Sequence, residues 1–259
     1  MAKRYKINNF EGYQKIITPE NSDIKKIHFA VVKNTKNRNY SGVTTGEESV
    51  FILTEGKAKF FLEGRLFAEL SRKNVFSEPP TAVYLPPYSN YLVEFLAKTE
   101  MCIASCKAKG TGKPKLVESK EMIFSRKGQE GYFRNITEVI NEDFPSEKII
   151  VGETISDPGN WASYPPHKHD MNNPPEEVAM EEIYYFKINP RTGFGIIRIF
   201  SDSEDNVFVI KNNEIVTIPQ GYHPISVVPG HQIYYLWIMV GETKKVVSSI
   251  HPDFRFIGK

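Results

Sequence analysis

Tyr164-Pro165-Pro166-His167-Lys168-His169-Asp170 is the stretch on which the reading of this chain turns. It sets two imidazoles two residues apart where an extended segment begins. Side chains at i and i+2 of a strand point to the same face, so His167 and His169 can reach one metal ion together. The chain has six histidines. A third member, His223, closes the turn Pro219-Gln220-Gly221-Tyr222-His223, and the acidic pair Glu181-Glu182 opens the strand between them. Three imidazoles and a carboxylate on a β scaffold predict a metal site.

Working outward, short apolar or alternating runs recur between Gly, Pro, Asn and Asp turn signals, the pattern of an all-β sandwich or barrel. In the first half they are His28–Val32, Ser49–Leu53, Lys57–Leu62, Ala82–Leu85, Tyr91–Leu96 and Met101–Lys107. In the second they are Lys148–Glu153, Glu182–Ile188, Gly195–Phe200, Asn206–Ile210, Ile215–Ile218 and Gln232–Val240. A short helix is expected over Glu138 to Phe144. Lys107–Lys120, rich in Lys and Gly, is the linker candidate, which divides the chain into residues 1–120 and 121–259. The halves echo each other. Glu47-Glu48-Ser49-Val50-Phe51-Ile52-Leu53 resembles Glu181-Glu182-Ile183-Tyr184-Tyr185-Phe186, and Ala82–Pro87 resembles Glu214–Gly221, as an internal duplication would produce.

With 259 residues the chain can form one large β domain or two of ordinary size. A net charge of +2 with scattered lysines leaves no basic stripe for nucleic acid. No run of about 20 apolar residues is present to span a membrane, and Met1 to Phe10 lack a signal-peptide core. Cys102 and Cys106, four apart on one strand, are held too far apart to bridge. As two buried thiols they fit a reducing, cytoplasmic setting. His28, His231 and His251 read as packed or hydrogen-bonded residues. Imidazole and carboxylate suit a divalent ion (zinc, manganese, iron or nickel) without choosing among them, and the lack of cysteine ligands argues against a finger-type zinc site.

The order His-x-His, then a strand opening with Glu, then Pro-x-Gly-x-His resembles the two motifs of the cupins. In that family an antiparallel barrel carries three His and one Glu to an interior metal. The resemblance implies His167, His169, Glu182 and His223 as ligands, with Glu182 rather than Glu181 pointing inward. The gap from His169 to Glu182 is longer than in most cupins, and its insert Met171–Glu177 reads as a loop. Gly152-Glu153, Pro158-Gly159-Asn160-Trp161, Ser163–Asp170, Glu181–Tyr185, Gly193-Phe194, Gly221-Tyr222-His223-Pro224 and Tyr234-Tyr235-Leu236 narrow the likeness further. Together they resemble the 5-deoxyglucuronate isomerase family, bicupin isomerases of bacterial myo-inositol catabolism. That resemblance implies two antiparallel double-stranded β-helix (jelly-roll) barrels with metal only in the second. The sequence agrees independently, since the first half contains His28 alone. A related family, the 4-deoxy-5-hexosulose-uronate ketol-isomerases, shares the His-x-His…Glu…His set. The chain departs from the isomerase pattern at Ile197, Trp237 and Phe254.

An aldose–ketose isomerase must stabilise charge on the carbonyl oxygen, which a divalent metal with open positions can do. Its sugar-acid substrate also needs a cation, for which Arg198 and then Lys168 are the candidates. Asp170, Glu181, Tyr184 and Tyr222 are candidates for the base, with Tyr184 favoured to line the pocket because it shares a strand face with Glu182. A cupin dioxygenase and a non-catalytic sugar-binding bicupin are the competing readings. A polar, cation-lined pocket would favour the isomerase. Exposed sheet edges make a homo-oligomer an open expectation.

Overall fold

Alternating segments of this kind fold only if each strand finds a neighbour for its backbone and a core for one or both of its faces. The computed structural model describes residues 2–34 and 38–257, with no α-helix among them. The first half supplies β1 (Arg4–Lys6), β2 (Gly12–Ile17), β3 (His28–Asn34), β4 (Asn39–Val43) and β5 (Glu47–Leu62). It continues with β6 (Arg65–Arg72), β7 (Ala82–Leu85), β8 (Asn90–Phe95), β9 (Thr99–Lys107) and β10 (Lys115–Val117). The second half supplies β11 (Ile123–Lys127), β12 (Arg134–Ile140), β13 (Ile149–Ser156), β14 (Trp161–Ala162), β15 (His167–Lys168) and β16 (Met180–Asn189). It ends with β17 (Gly195–Phe200), β18 (Asp205–Ile210), β19 (Glu214–Ile218), β20 (Ile225–Val227), β21 (Gln232–Gly241) and β22 (Ser249–Ile250).

One large sheet runs β10-β7-β5-β9-β3-β2, and the other β1-β19-β16-β21-β13-β12-β11. A four-stranded sheet β14-β20-β17-β18 faces the second. In the first half the distal part of β5 turns away to pair with β6 and β8. The corner is Gly56, at φ +111°, where a Cβ would lie 2.4 Å from the Thr99 hydroxyl. The fold is therefore all-β, but its jelly rolls are open: the large sheets end on β2, β10, β1 and β11 instead of closing into cylinders. Two expectations change. β1 leaves its own half and pairs with β19. Residues 138–140 complete strand β12, with a bulge between Glu138 and Ile140, and turns follow in place of the expected helix. Pairing to β13 on one side and β11 on the other satisfies the backbone there, which local propensity does not reveal.

The two large sheets lie back to back. Val50, Ile52, Tyr84, Cys102 and Ala104 share one core with Val151, Ile183, Tyr185, Leu236 and Ile238. The alternate residues fill private interiors, Phe51, Leu53, Phe60 and Val83 in the first half and Tyr184, Phe186, Ile218 and Tyr235 in the second. Cys102 and Cys106 are free and buried on the shared side. Among the described residues, no helix is long and apolar enough to cross a membrane.

Inside this interface Arg72 meets Glu153 through two bonds of 2.7 Å, Nη1 to Oε1 and Nη2 to Oε2. Its remaining N–H groups donate to the carbonyls of Leu53 and Glu78, and the Tyr234 hydroxyl donates to Glu153. Arg72→Met strands a buried carboxylate, and about 3–5 kcal/mol should be lost in urea unfolding. Adding Glu153→Met should recover most of that. A second pair acts on pH. Burial raises the Glu100 pKa, but Lys187 at 2.6 Å and Lys33 at 3.4 Å outweigh it and bring it down to about 2. A carboxylate depressed in the folded state stabilises above its ordinary value of 4.5, and that contribution is lost as pH falls through about 2. Acid titration of stability at fixed urea should show this slope, and Glu100→Gln should flatten it.

Candidate metal centre

β16 places its side chains alternately on the two faces of the second large sheet. Glu182 and Tyr184 face the private interior, whereas the Glu181 carboxylate turns to the other side and accepts the backbone N–H groups of Lys25 and Lys26 at 2.8 Å each. His169 is tied to the start of the strand by two bonds. Met180 N–H donates to the His169 carbonyl at 2.7 Å, and His169 Nδ1 lies 2.9 Å from the Met180 carbonyl. His167 sits on β15, paired to β22, with Nδ1 3.0 Å from the Pro165 carbonyl. His223 follows Gly221, whose φ of +92° brings its Cα so near the Phe200 carbonyl that a Cβ would lie 2.8 Å away. His223 Nδ1 lies 2.9 Å from the Gly221 carbonyl.

All three rings thus meet a backbone carbonyl at Nδ1. A carbonyl only accepts, so Nδ1 carries the proton and Nε2 is left to bind. The Nε2 atoms of His169 and His223 lie 3.2 Å and 3.4 Å from Glu182 Oε2. Ligand atoms of these three residues all fall within 4.8 Å of one another. His167 stands beside them, its ring centroid 5.0 Å from that of His223. Buried His223 Nε2 has no hydrogen-bond partner. A lone pair aimed at a carboxylate oxygen without a proton between them is the arrangement a cation resolves. Burial pushes His167 down to about 4 and, with its neighbouring imidazoles, holds His223 well below the ordinary value. Burial also works to lower His169, but the hydrogen bond and charge of Glu182 outweigh it and raise that ring. Two neutral imidazoles, a third beside a carboxylate and fixed tautomers fit a zinc, manganese, iron or nickel ion.

Several residues singled out from the sequence lie elsewhere. Arg198 is on the outer face of β17, exposed, with Nε and Nη2 each 2.8 Å from the two oxygens of Asp205. It does not line the cavity, because Ile197 and Ile199 take the inward positions of that strand. Asp170 is also committed. It pairs with Lys168 and accepts the Gly221 N–H at 2.6 Å, so it braces the His223 turn and faces away from the reacting space. Lys168 is held by Asp170 and Glu177. Tyr222 packs against Phe200 and, edge-on, against His251. Tyr184 does line the cavity, its hydroxyl 3.0 Å from Ser163 Oγ. Burial, then the Glu182 charge, holds its pKa well above the ordinary value, so at neutral pH it is a phenol.

The cavity over the histidines measures about 480 Å³. Its walls include Arg134, Glu138, Thr154, Tyr235 and Trp237, and of these the family resemblance had singled out Tyr235 and Trp237. Arg134, Ile136 and Glu138 alternate along β12, a period-2 signal hidden by the helix expectation for its end. A second cavity of about 500 Å³ lies near Glu100, but Lys33 and Lys187 there are already paired with that carboxylate.

The KduI/IolB family model matches residues 4–257. The chain belongs to the KduI/IolB family. It is 34% identical over 253 residues to a 5-deoxy-glucuronate isomerase of Geobacillus thermodenitrificans NG80-2, spanning 96% of this chain and 92% of that one. Identity to the protein of the same name in Bacillus subtilis 168 is 31% over 236 residues, spanning 88% and 86%. Among solved structures, an IolB-like protein from Salmonella typhimurium LT2 matches with a TM-score of 0.94 at 24% identity over 99% of both chains. Oxalate decarboxylase of Lactobacillus farciminis in its formate complex matches at 0.67 with 11% identity, over 95% of this chain and 87% of that one. These two likenesses show the fold. Of the three departures from the isomerase pattern, only Trp237 reaches the cavity, donating from Nε1 to Thr154 Oγ1 at 3.1 Å over a bare Gly152. Ile197 is fully buried, and Phe254 packs on Tyr164 and His251.

Zinc or manganese at 100 times its Kd should stabilise the chelator-stripped protein by about 2.7 kcal/mol. Glu182→Gln and His223→Ala should abolish that gain and the metal found by elemental analysis. Arg198→Ala removes an exposed pair and should cost under about 1 kcal/mol, with metal content unchanged.

Proposed function

We propose that the chain is a metal-dependent aldose–ketose isomerase of a deoxy sugar acid, converting 5-deoxy-D-glucuronate to 5-dehydro-2-deoxy-D-gluconate. The observation that carries this reading is the set of tautomer-fixed imidazoles near Glu182, beside a cavity with charged residues in its wall, in a chain related along most of its length to 5-deoxy-glucuronate isomerases. His167, His169, Glu182 and His223 would hold the ion. When bound, a divalent cation supplies charge stabilisation to oxygens on the two reacting carbons.

The protein's own groups account for the proton movements. The reaction removes the proton from C2, moves that electron pair into a C1–C2 double bond as charge builds on the C1 oxygen, and returns a proton to C1 while the C2 hydroxyl loses its own. Tyr184, a neutral phenol that lines the cavity, would donate a hydrogen bond to a developing enediolate oxygen. Glu138 fits the role of base by elimination. Of the cavity carboxylates, Glu182 faces the histidines and Glu142 accepts the Val246 N–H at 2.7 Å, whereas the Glu138 carboxylate has no hydrogen bond or ion pair among the described residues. Lys127 and Arg134 in the cavity wall support this reading over an oxygenase.

Metal-replete protein incubated with 5-deoxyglucuronate should yield the ketose by NMR. In deuterated water the product should carry solvent deuterium at C1. Glu138→Gln should lower kcat by about 10²–10⁴ with metal content intact, and His223→Ala should lose both metal and turnover. Absence of turnover by the wild type rejects the substrate assignment.

A further inference from the structure

We propose that Arg134 is the carboxylate-binding residue of the cavity and so decides that the substrate is a sugar acid. The assignment rests on the sugar-acid isomerase reading above and adds the group that selects the acid.

Arg134 stands out by what it lacks. Arg4, Arg38, Arg72, Arg126 and Arg198 each lie against an acidic side chain. Arg134 has no carboxylate within ion-pair distance among the described residues, and the one hydrogen bond of its guanidinium is a long 3.4 Å contact from Nη1 to the Tyr132 carbonyl. The other arginines without an acid, Arg65, Arg191 and Arg255, are exposed, whereas Arg134 is half-buried. A guanidinium partly withdrawn from water needs an anion, and its fork matches the two oxygens of a carboxylate.

Its position supplies the second observation. Arg134 lines the same cavity as His167 and Glu182, on a strand that also presents Ile136 and Glu138. Lys127, directly across the β11–β12 register from Arg134, lines the cavity too, so two cations stand side by side at that end of its wall. That charge reaches inward: burial raises the Tyr235 phenol, and Arg134 works against it. A sugar acid can therefore place its carbonyl end at the histidines and its carboxylate at β12, with Trp237 of β21 between them. Arg198, tied to Asp205 on the outer face, is in no position to share the task.

The test uses metal-replete enzyme, Arg134→Met and Arg134→Lys, with 5-deoxyglucuronate and the neutral 5-deoxyglucose as substrates. Binding of glucuronate by calorimetry is the readout that does not need turnover. Arg134→Met should raise KM for the acid about 30-fold or more, with kcat changed far less and metal content and thermal midpoint preserved. Its KM for the neutral sugar should stay at the wild-type value. Arg134→Lys, which keeps the charge and loses the fork, should fall between. Wild-type binding of glucuronate that Arg134→Met abolishes, without any isomerisation, would sustain the assignment and reject the isomerase reading. Isomerisation with an unchanged KM in Arg134→Met would do the reverse. Equal losses on acid and neutral sugar, or no glucuronate binding by an inactive wild type, would overturn the assignment.

Discussion

Successive side chains of β16 leave the sheet on opposite sides, so one strand has to serve two interiors at once. Ile183 and Tyr185 go to the core shared by the halves, and Glu182, Tyr184 and Phe186 to the private side. A slip of one residue against β19 or β21 would exchange those sets, burying the Glu182 carboxylate among the aliphatic residues of the shared core. Val216 and Ile218 on one flank and Tyr235 and Trp237 on the other obey the same parity. The Glu182 carboxylate is therefore held in place by the packing of the sheet behind it, and the back-to-back sheets fix the candidate site from outside.

The same parity explains why the two halves differ in chemistry. Glu182 lies opposite Ile218 and Met239, and the position opposite Leu85 and Ser105 in the first half is Ser49. There the two serine hydroxyls meet at 2.8 Å where the second half has its carboxylate. The register moves the sequence echo by one residue, so that Glu48 corresponds to Glu181. Those two acids do the same work across the interface. Glu48 accepts the N–H groups of Glu147, Lys148 and Ile149 from the second half, and Glu181 accepts those of Lys25 and Lys26 from the first. Each half thus uses a carboxylate, buried for Glu48 and half-buried for Glu181, to seat the loop that leads into a strand of the other.

Period-2 runs with turn residues between them made the strands legible, and the His-x-His spacing pointed to the imidazoles that gather near Glu182, because both signals are local. Two kinds of information were not local. One was pairing: β12 looks helical at its end because only β11 and β13 make it a strand, so Glu138 was read into a helix and Arg134, before it, fell in no expected strand. The other was commitment. Arg198 and Asp170 have the right chemistry for substrate contact, yet Asp205 and Gly221 already occupy them. Residue type indicates what a side chain can bind, and only the fold shows whether its partner is already present.

The insert between the His-x-His pair and the strand of Glu182 shows how a lengthened loop becomes part of the scaffold. Glu177, buried at its end, accepts the N–H groups of Asp170 and Met171 at 2.7 Å and meets Lys168 at 3.0 Å. Lys168 also contacts Asp170, which holds Gly221 and with it the turn that presents His223. The chain Glu177–Lys168–Asp170–Gly221 therefore links both histidine motifs, and it runs along the face of the His-Lys-His run opposite the ligands. Lys168 alternates with His167 and His169 for this reason: its charge serves the brace while the imidazoles on either side serve the cavity. Keeping that ammonium paired with two carboxylates also keeps a positive charge from competing with a cation for Glu182, so the brace shapes the electrostatics of the site as well as its geometry.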